Sequence, residues 1–166
     1  MSNDQYLTFF IRGEEYAVPI LRVKEIIEYD SVTRVPTTPV HVRGVMNLRG
    51  AVLPVIDLAA KFGCPETETT RTTCIVIVET RLHDDLLVVG VMADGVSQVV
   101  DIPQNAIEPP PPFGTSVRVD FLIGMGKLDG RLVLVLDIDR VLSPVVDIHA
   151  AQIAHETLVA AEAAQD

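Results

Sequence analysis

The stretch Gly44-Val45-Met46-Asn47-Leu48-Arg49-Gly50-Ala51-Val52-Leu53-Pro54-Val55-Ile56-Asp57-Leu58 sets a polar turn between two apolar runs. It predicts a β-hairpin, because Gly50 can take the positive φ of a tight connection while the flanking Val, Met, Leu and Ile suit a half-buried sheet. Pro54 has no N–H to give a ladder, which puts the second strand at a sheet edge or bends it there. Asp57 then offers a carboxylate to the first free amides of a short helix over residues 58–62, which Gly63 ends. In this reading folding gives Asn47 and Arg49 no duty.

The pattern occurs twice. Shifted by 80 residues, Gly44, Leu48, Gly50, Val55 and Asp57 fall on Gly124, Leu128, Gly130, Val135 and Asp137. A shift of 73 sets Val18 on Val91, Val23 on Val96, Ile26 on Val99 and Ile27 on Val100, while residues 7–11 answer to 74–78. Each unit holds several short strands and one helical turn, so the chain reads as mainly β, a duplicated small β-barrel. The expected halves are 5–72 for the first barrel and 73–145 for the second, within one domain over 1–166. Units this small need a shared hydrophobic interface.

Outward from the hairpin, residues 6–11 form a strand, 12–15 a turn, and 16–18 a second strand, with Pro19 opening a brief helical turn. Residues 23–29 fit a helical turn passing into a strand. Pro36 and Pro39 bracket an extended loop, and residues 64–72, rich in Thr and Glu, form an exposed connection. Pro109 to Pro112, preceded by Pro103, makes a stiff extended loop, or alternatively a docking peptide for a proline-binding module. Residues 148–164 form a C-terminal helix packed back on a barrel.

Composition excludes several classes. The chain is 48% hydrophobic but only 5% aromatic, which gives an aliphatic core and no platforms for stacking bases. Mean hydropathy is +0.33, yet the longest apolar run, 86–93, is far short of the ~20 residues of a membrane span. Residues 1–5 carry no secretory signal, and two cysteines, Cys64 and Cys74, lack metal-ligand spacing, so a reducing cytoplasm is expected. A net charge of −10 disfavours nucleic acid and anionic membrane alike.

No catalytic constellation is visible. His41, His83, His149 and His155 are scattered without companions, and Glu14, Glu15, Glu25 and Glu28 cluster in sequence without a shown pocket. Asp57 and Asp137 repeat at equivalent places, which points to helix capping in both copies. Asn47 and Arg49 do not repeat: Lys127 and Asp129 stand there. The turn therefore does not require an arginine, and Arg49 is either a solvated side chain or a fork of donors for a partner carboxylate. Val23 belongs either to the core or to an exposed apolar cleft between barrels. A different class, a small-molecule-binding or hydrolytic barrel, would use carboxylates such as Asp94 and Asp137 in such a cleft.

The central stretch also resembles the signature of the CheW-type chemotaxis coupling proteins. Similar to that family, too, are Gln5-Tyr6-Leu7-Thr8-Phe9, Glu15-Tyr16-Ala17-Val18-Pro19-Ile20 with Val23, Glu25 and Ile26, the strand over 88–96, and Phe121-Leu122-Ile123-Gly124, so that the likeness covers roughly residues 5–145. It implies two SH3-like five-stranded barrels around a shared apolar core, in a non-enzymatic adaptor with no cofactor. It further implies a protein that joins the chemoreceptor cytoplasmic tip to the regulatory domain of the histidine kinase CheA, monomeric when free and part of a receptor–kinase array in the cell. Carried over by motif, Val23, Glu25, Asn47 and Arg49 would face the receptor. Gly44 and Val45 would shape that region, and Val96, Val99 and Gly124 of the second barrel would serve a kinase contact. An adaptor of another receptor array, controlling surface motility or a second messenger, fits the same residues.

Overall fold

The computed structural model describes residues 4–30, 32–36, 38–82, 85–109 and 121–142. In chain order these form β1 (Gln5–Ile11), β2 (Glu14–Pro19), β3 (Val23–Glu28), β4 (Val42–Leu48), β5 (Ala51–Ile56), α1 (Leu58–Lys61), β6 (Cys74–Leu82), β7 (Asp85–Ala93), β8 (Gly95–Asp101), β9 (Ile107–Glu108), β10 (Leu122–Leu128), β11 (Arg131–Leu136) and α2 (Ile138–Leu142). The fold is mainly β, with two SH3-like sheets in the orders β8-β1-β2-β11-β10-β9 and β3-β6-β7-β5-β4.

The expected halves are not the spatial units. The first sheet takes β1 and β2 from one half and β8 to β11 from the other; the second takes β3 to β5 and β6 to β7. Each half thus lends its N-terminal hairpin to the barrel that the other half completes. The crossings are short. Residues 20–22 form a single 3₁₀ turn between β2 and β3, and Asp94 alone separates β7 from β8, so the expected single strand over 88–96 is in fact two.

The repeat itself is faithful. β4, β5 and α1 begin 80 residues before β10, β11 and α2, and both hairpins carry an irregularity at the same place, Val42/Gly44 and Leu122/Gly124. Their two-residue turns share left-handed backbone: φ is 51° and 90° at Arg49 and Gly50, 47° and 81° at Asp129 and Gly130. Such a turn matches the strand twist. Arg12 and Gly13 adopt the same geometry, with φ of 50° and 81°, so β2 begins at Glu14 and the four-residue turn expected over 12–15 is only two residues long.

Gly44 and Gly124 close the barrels. A Cβ on Gly44 would lie 2.2 Å from the Thr33 carbonyl oxygen, and one on Gly124 would lie 2.5 Å from that of Glu108. At both seams the strand beyond the glycine pairs with a segment of its own half: Val45 with Thr33, which follows β3, and Met125 with Glu108, which follows β8.

Two further expectations change. Pro54 does not put β5 at an edge, since β5 lies between β4 and β7. It sits opposite Val45, whose N–H and C=O both bond to Thr33, so the proline nitrogen faces away from β4. The parallel ladder to β7 begins only at Val55, and in the twin barrel, with Leu134 at that place, it reaches one residue further to Tyr16. The 64–72 connection is not wholly exposed either. Thr67 is buried, its N–H and hydroxyl each donating to the Asp57 carboxylate at 2.7 Å. Asp57 is fully buried and also accepts from the Ala59 and Ala60 amides, which is the expected cap of α1. Prolines beyond Pro109 and the expected helix over 148–164 lie outside the described residues.

The core has three parts. Barrel interiors are small: Met46, Leu53, Val55, Ile75, Ile77 and Met92 fill one, and Tyr6, Ala17, Ile102, Val133 and Val135 the other. The largest cluster lies between the barrels, where Leu7, Phe9 and Tyr16 of one sheet meet Val76, Val78 and Val91 of the other, with Leu58 and Ile138 of the helices. A polar clamp crosses its margin. The Arg22 guanidinium donates to both Asp139 oxygens at 2.9 and 2.7 Å, and Asp139 also accepts from the Thr80 hydroxyl and the Arg81 amide.

Gly44→Ala should cost about 2–3 kcal/mol, because backbone must move, whereas Gly50→Ala, with open space around it, should cost about 1 kcal/mol for its left-handed φ. Urea unfolding of both variants is the check; equal costs would show that the seam tolerates a side chain. Asp139 supplies a pH signature. Burial raises its pKa, but Arg22, the Arg81 amide and Thr80 outweigh that and hold it below the usual value. A carboxylate depressed by folding stabilises the native state above its unfolded pKa of about 3.9, and the gain is lost as pH falls through the folded value. Wild type should therefore exceed Asp139→Asn in urea midpoint at pH 7, with the gap closing below about pH 4; a pH-independent gap would contradict this.

Candidate protein-binding site

Edge strand β3 carries different chemistry on its two faces. An irregularity between Val23 and Glu25 sets Val23 opposite Val78 and Ile26 opposite Val76, on the side of the shared core, and Glu25 opposite Ile77, on the side of the barrel interior. Val23 is half-buried against the shared core. Ile26 is 41% exposed, and Leu21, in the turn just before β3, is 71% exposed. Neither Ile26 nor Leu21 stood among the expected contacts, although the i, i+5 run of large aliphatics from Leu21 to Ile26 was there to be read.

Arg49 and Glu25 come together. From its left-handed turn Arg49 sends a two-pronged guanidinium to Glu25, Nη1 to Oε1 at 3.1 Å and Nη2 to Oε2 in closer contact still. The Arg49 hydrogen bonds hold the Glu25 carboxyl below its ordinary pKa and raise that of Arg49. The Arg49 side chain remains 70% exposed, against 30% for Glu25. The pair is thus pre-arranged but open: the fork is engaged by Glu25, and the rest of the guanidinium faces solvent with its orientation already set.

Asn47 has a folding duty after all. Its Oδ1 accepts from the Gly50 N–H at 2.8 Å, bracing the turn that displays Arg49. In the twin turn Lys127 instead lies 3.4 Å from Glu108. Gly44 and Val45 are buried at the barrel seam, with Val45 fully enclosed, so they shape the region without presenting a surface. Val96, opposite Phe9, is half-buried against the shared core, and Gly124 is buried at its own seam. Of the three second-barrel residues only Val99, 50% exposed on β8, presents a surface, and it stands on the other sheet from Arg49.

The carboxylates of the cleft alternative are already engaged. Asp94 accepts from the Arg12 amide at 2.7 Å, and Asp137 accepts from the Arg140 amide in the first turn of α2. Among the described residues no three His, Cys, Asp or Glu side chains group as metal ligands, and no helix is long and apolar enough to cross a membrane.

The described residues form an all-β pair of intertwined barrels, with an arginine fork on one turn and aliphatic side chains along an edge strand. Comparison with known proteins gives the family. The CheW-like domain model matches residues 5–145. The chain is 37% identical over 141 residues to the chemotaxis protein CheW of Klebsiella aerogenes, covering 85% of this chain and 82% of that one. It is 38% identical over 138 residues to the CheW of Helicobacter pylori, covering 83% and 81%. The crystal structure of the scaffolding protein TtCheW from Thermoanaerobacter tengcongensis superposes with a TM-score of 0.75 at 31% identity, over 86% of this chain and 90% of that one. The chain belongs to the CheW-like family of chemotaxis proteins.

If the Arg49 fork is what depresses Glu25, the Glu25 carboxyl should titrate below the usual glutamate value of about 4.3 in wild type and return to it in Arg49→Ala. Side-chain carbon NMR reads this directly. The pair is solvent-exposed, so the same variant should leave the urea midpoint unchanged; an unshifted Glu25 would mean that the fork points elsewhere in solution.

Proposed function

We propose that the chain is a non-enzymatic cytoplasmic adaptor coupling the cytoplasmic tip of a chemoreceptor to the regulatory domain of the histidine kinase CheA. The observation that carries this is the Arg49 turn. Its backbone is reproduced in the twin hairpin with Asp129 in place of arginine, so the guanidinium is not there to make the turn. It is braced by Asn47, aimed by Glu25, and left exposed.

In this reading a receptor helix lays apolar anchors at i, i+3 and i+4 along Val23 and Ile26, and offers a carboxylate or helix-end carbonyl to Arg49. Gly44 and Val45 act indirectly by fixing the seam from which the turn projects. The kinase contact uses the other sheet, with Val99 as the exposed apolar residue and Val96 and Gly124 setting the strand positions beneath it. Two surfaces on separate barrels let one small protein bridge two partners, and packing many such bridges together raises effective concentration without strong single contacts.

Calorimetric titration against a receptor tip fragment and, separately, a kinase regulatory domain tests the proposal. Wild type should bind both. Arg49→Ala should weaken receptor binding about tenfold or more, as loss of a central arginine does, and leave kinase binding unchanged, while Asp129→Ala on the twin turn alters receptor binding little. A wild type that binds neither fragment removes the coupling role, and equal losses from the two turn variants remove Arg49 from the contact.

A further inference from the structure

A cavity of about 170 Å³ opens between the end of the β1–β2 hairpin and α1, and shares no residue with the surfaces assigned above to receptor and kinase. Ile11, Tyr16 and Ala59 are buried at its floor, Phe62 and Cys64 are half-buried, and the exposed Arg12 and Glu14 stand at its mouth. The Tyr16 and Phe62 rings stack with centroids 5.8 Å apart. The internal repeat shows why the space is there. Parallel pairing matches Ala17 on Val135 with Gly90 on Val55, so the cross-strand pair Leu7 and Val18 corresponds to Val76 and Val91, two residues on from the sequence echo. Four residues further, Ile11 and Arg12 correspond to Thr80 and Arg81, while Ala59 corresponds to Asp139. In the twin, Asp139 bridges helix and hairpin by accepting from the Thr80 hydroxyl at 3.1 Å and the Arg81 amide at 2.9 Å. Alanine at this place bridges nothing, and the gap is the cavity. The Arg12 amide goes to Asp94 at 2.7 Å, but its guanidinium joins none of the ion pairs among the described residues. Glu14 accepts from the Tyr16 hydroxyl at 2.9 Å and is in none of those pairs either. A cation and an anion thus share one opening without neutralising each other.

We propose that this cavity binds a free α-amino acid with a large apolar side chain. An apolar cavity of about 150 Å³ holds benzene, so one ring or branched alkyl group fits against Tyr16, Phe62 and Ile11, and the head group stays at the mouth. There the carboxylate meets Arg12, whose planar fork of donors matches it, and the ammonium meets Glu14. Charge decides between ligand classes. The net charge of −10 repels an anion at long range, whereas a zwitterion carries no net charge and meets no such barrier. A residue within a peptide lacks both head-group charges, and a chain end lacks one. A ligand of about a dozen heavy atoms in so open a site binds with a Kd of about 1 mM. Once bound it ties α1 to the β1–β2 hairpin, the connection that Asp139 makes in the twin, and so stabilises the fold by mass action.

Titration of the isotope-labelled chain with L-phenylalanine and with L-leucine, to about 20 mM and followed by amide NMR shifts, is the experiment. The shifts should centre on residues 11–16 and 59–64 and saturate with a Kd of about 1 mM. Cys64 lines the cavity while Cys74 is buried, so alkylation of Cys64 should slow about tenfold at about 10 mM ligand. N-acetyl-L-phenylalanine, without the ammonium, and L-phenylalanine amide, without the carboxylate, should each bind about tenfold more weakly. Arg12→Asn, a residue that tolerates the left-handed turn, should erase the discrimination against the amide, and Glu14→Gln that against the N-acetyl compound. Ala59→Leu fills the cavity and should remove binding. Should that variant not fold, the two exposed substitutions carry the test, with circular dichroism to check them. No saturable shift and no protection of Cys64, or both blocked compounds binding as tightly as the amino acid, overturns the proposal. Neither result bears on receptor or kinase binding, which the calorimetry reads in the absence of amino acid.

Discussion

The apolar layer between the two barrels is the constraint on which the rest of the structure depends. Each barrel interior holds only a handful of large side chains, too little to offset the chain entropy of some seventy residues. The missing burial comes from the layer between them, reached by exchanging hairpins: β1 and β2 supply Leu7, Phe9 and Tyr16 to one wall, β6 and β7 supply Val76, Val78 and Val91 to the other. Because each hairpin pairs at its edges with strands of the opposite half, neither half can fold to completion without its neighbour. The Arg22–Asp139 clamp fastens the margin of this layer, tying the turn before β3 to the helix after β11.

Within that frame the seams and turns are set by backbone, not by side chains. Gly44 and Gly124 leave room for a carbonyl where any Cβ would collide, and three hairpins share one left-handed two-residue turn with Arg12, Arg49 or Asp129 at its first position. A turn that accepts either charge at the same φ places no demand on the side chain. That freedom leaves position 49 open to a contact, and the neighbouring structure uses it: Asn47 and Glu25 spend their hydrogen bonds on holding the arginine in place.

Much of this was legible in the residues. The 80-residue echo of Gly, Leu, Gly, Val and Asp fixed both hairpins and both helix caps, because turns and caps depend on local residue types. The exchange of hairpins was not legible, since strand pairing across halves is decided by which edges meet in space, and the alternation of β1 and β2 looks the same whichever barrel they join. Pro54 was read as marking an edge or a bend, and the edge is excluded: one ladder starts late inside the sheet, because a missing N–H matters only on the side that would have used it. Thr67 was hidden for a similar reason: nothing local ties a threonine in a polar connection to a carboxylate ten residues earlier. Of the site, the motif pointed to Arg49 and Glu25 separately; that they form one unit follows from β3 and the β4–β5 turn lying at opposite ends of the same five-stranded sheet, which only barrel closure brings together.

Duplication gives each surface feature an internal control. Where the two copies keep the same residue, as with Gly44 and Gly124 or Asp57 and Asp137, the fold is a sufficient reason for it. Where they differ on an unchanged backbone, the fold is not. Arg49 against Asp129, and the charged edge of β3 against the bare edge of β8, are differences of this second kind. A symmetric pair of barrels would offer the same surface twice and bind one kind of partner at both ends. By letting a turn and an edge diverge while the seams and the shared core stay fixed, this chain carries two unlike surfaces on one pair of intertwined barrels, a difference that the fold alone does not call for.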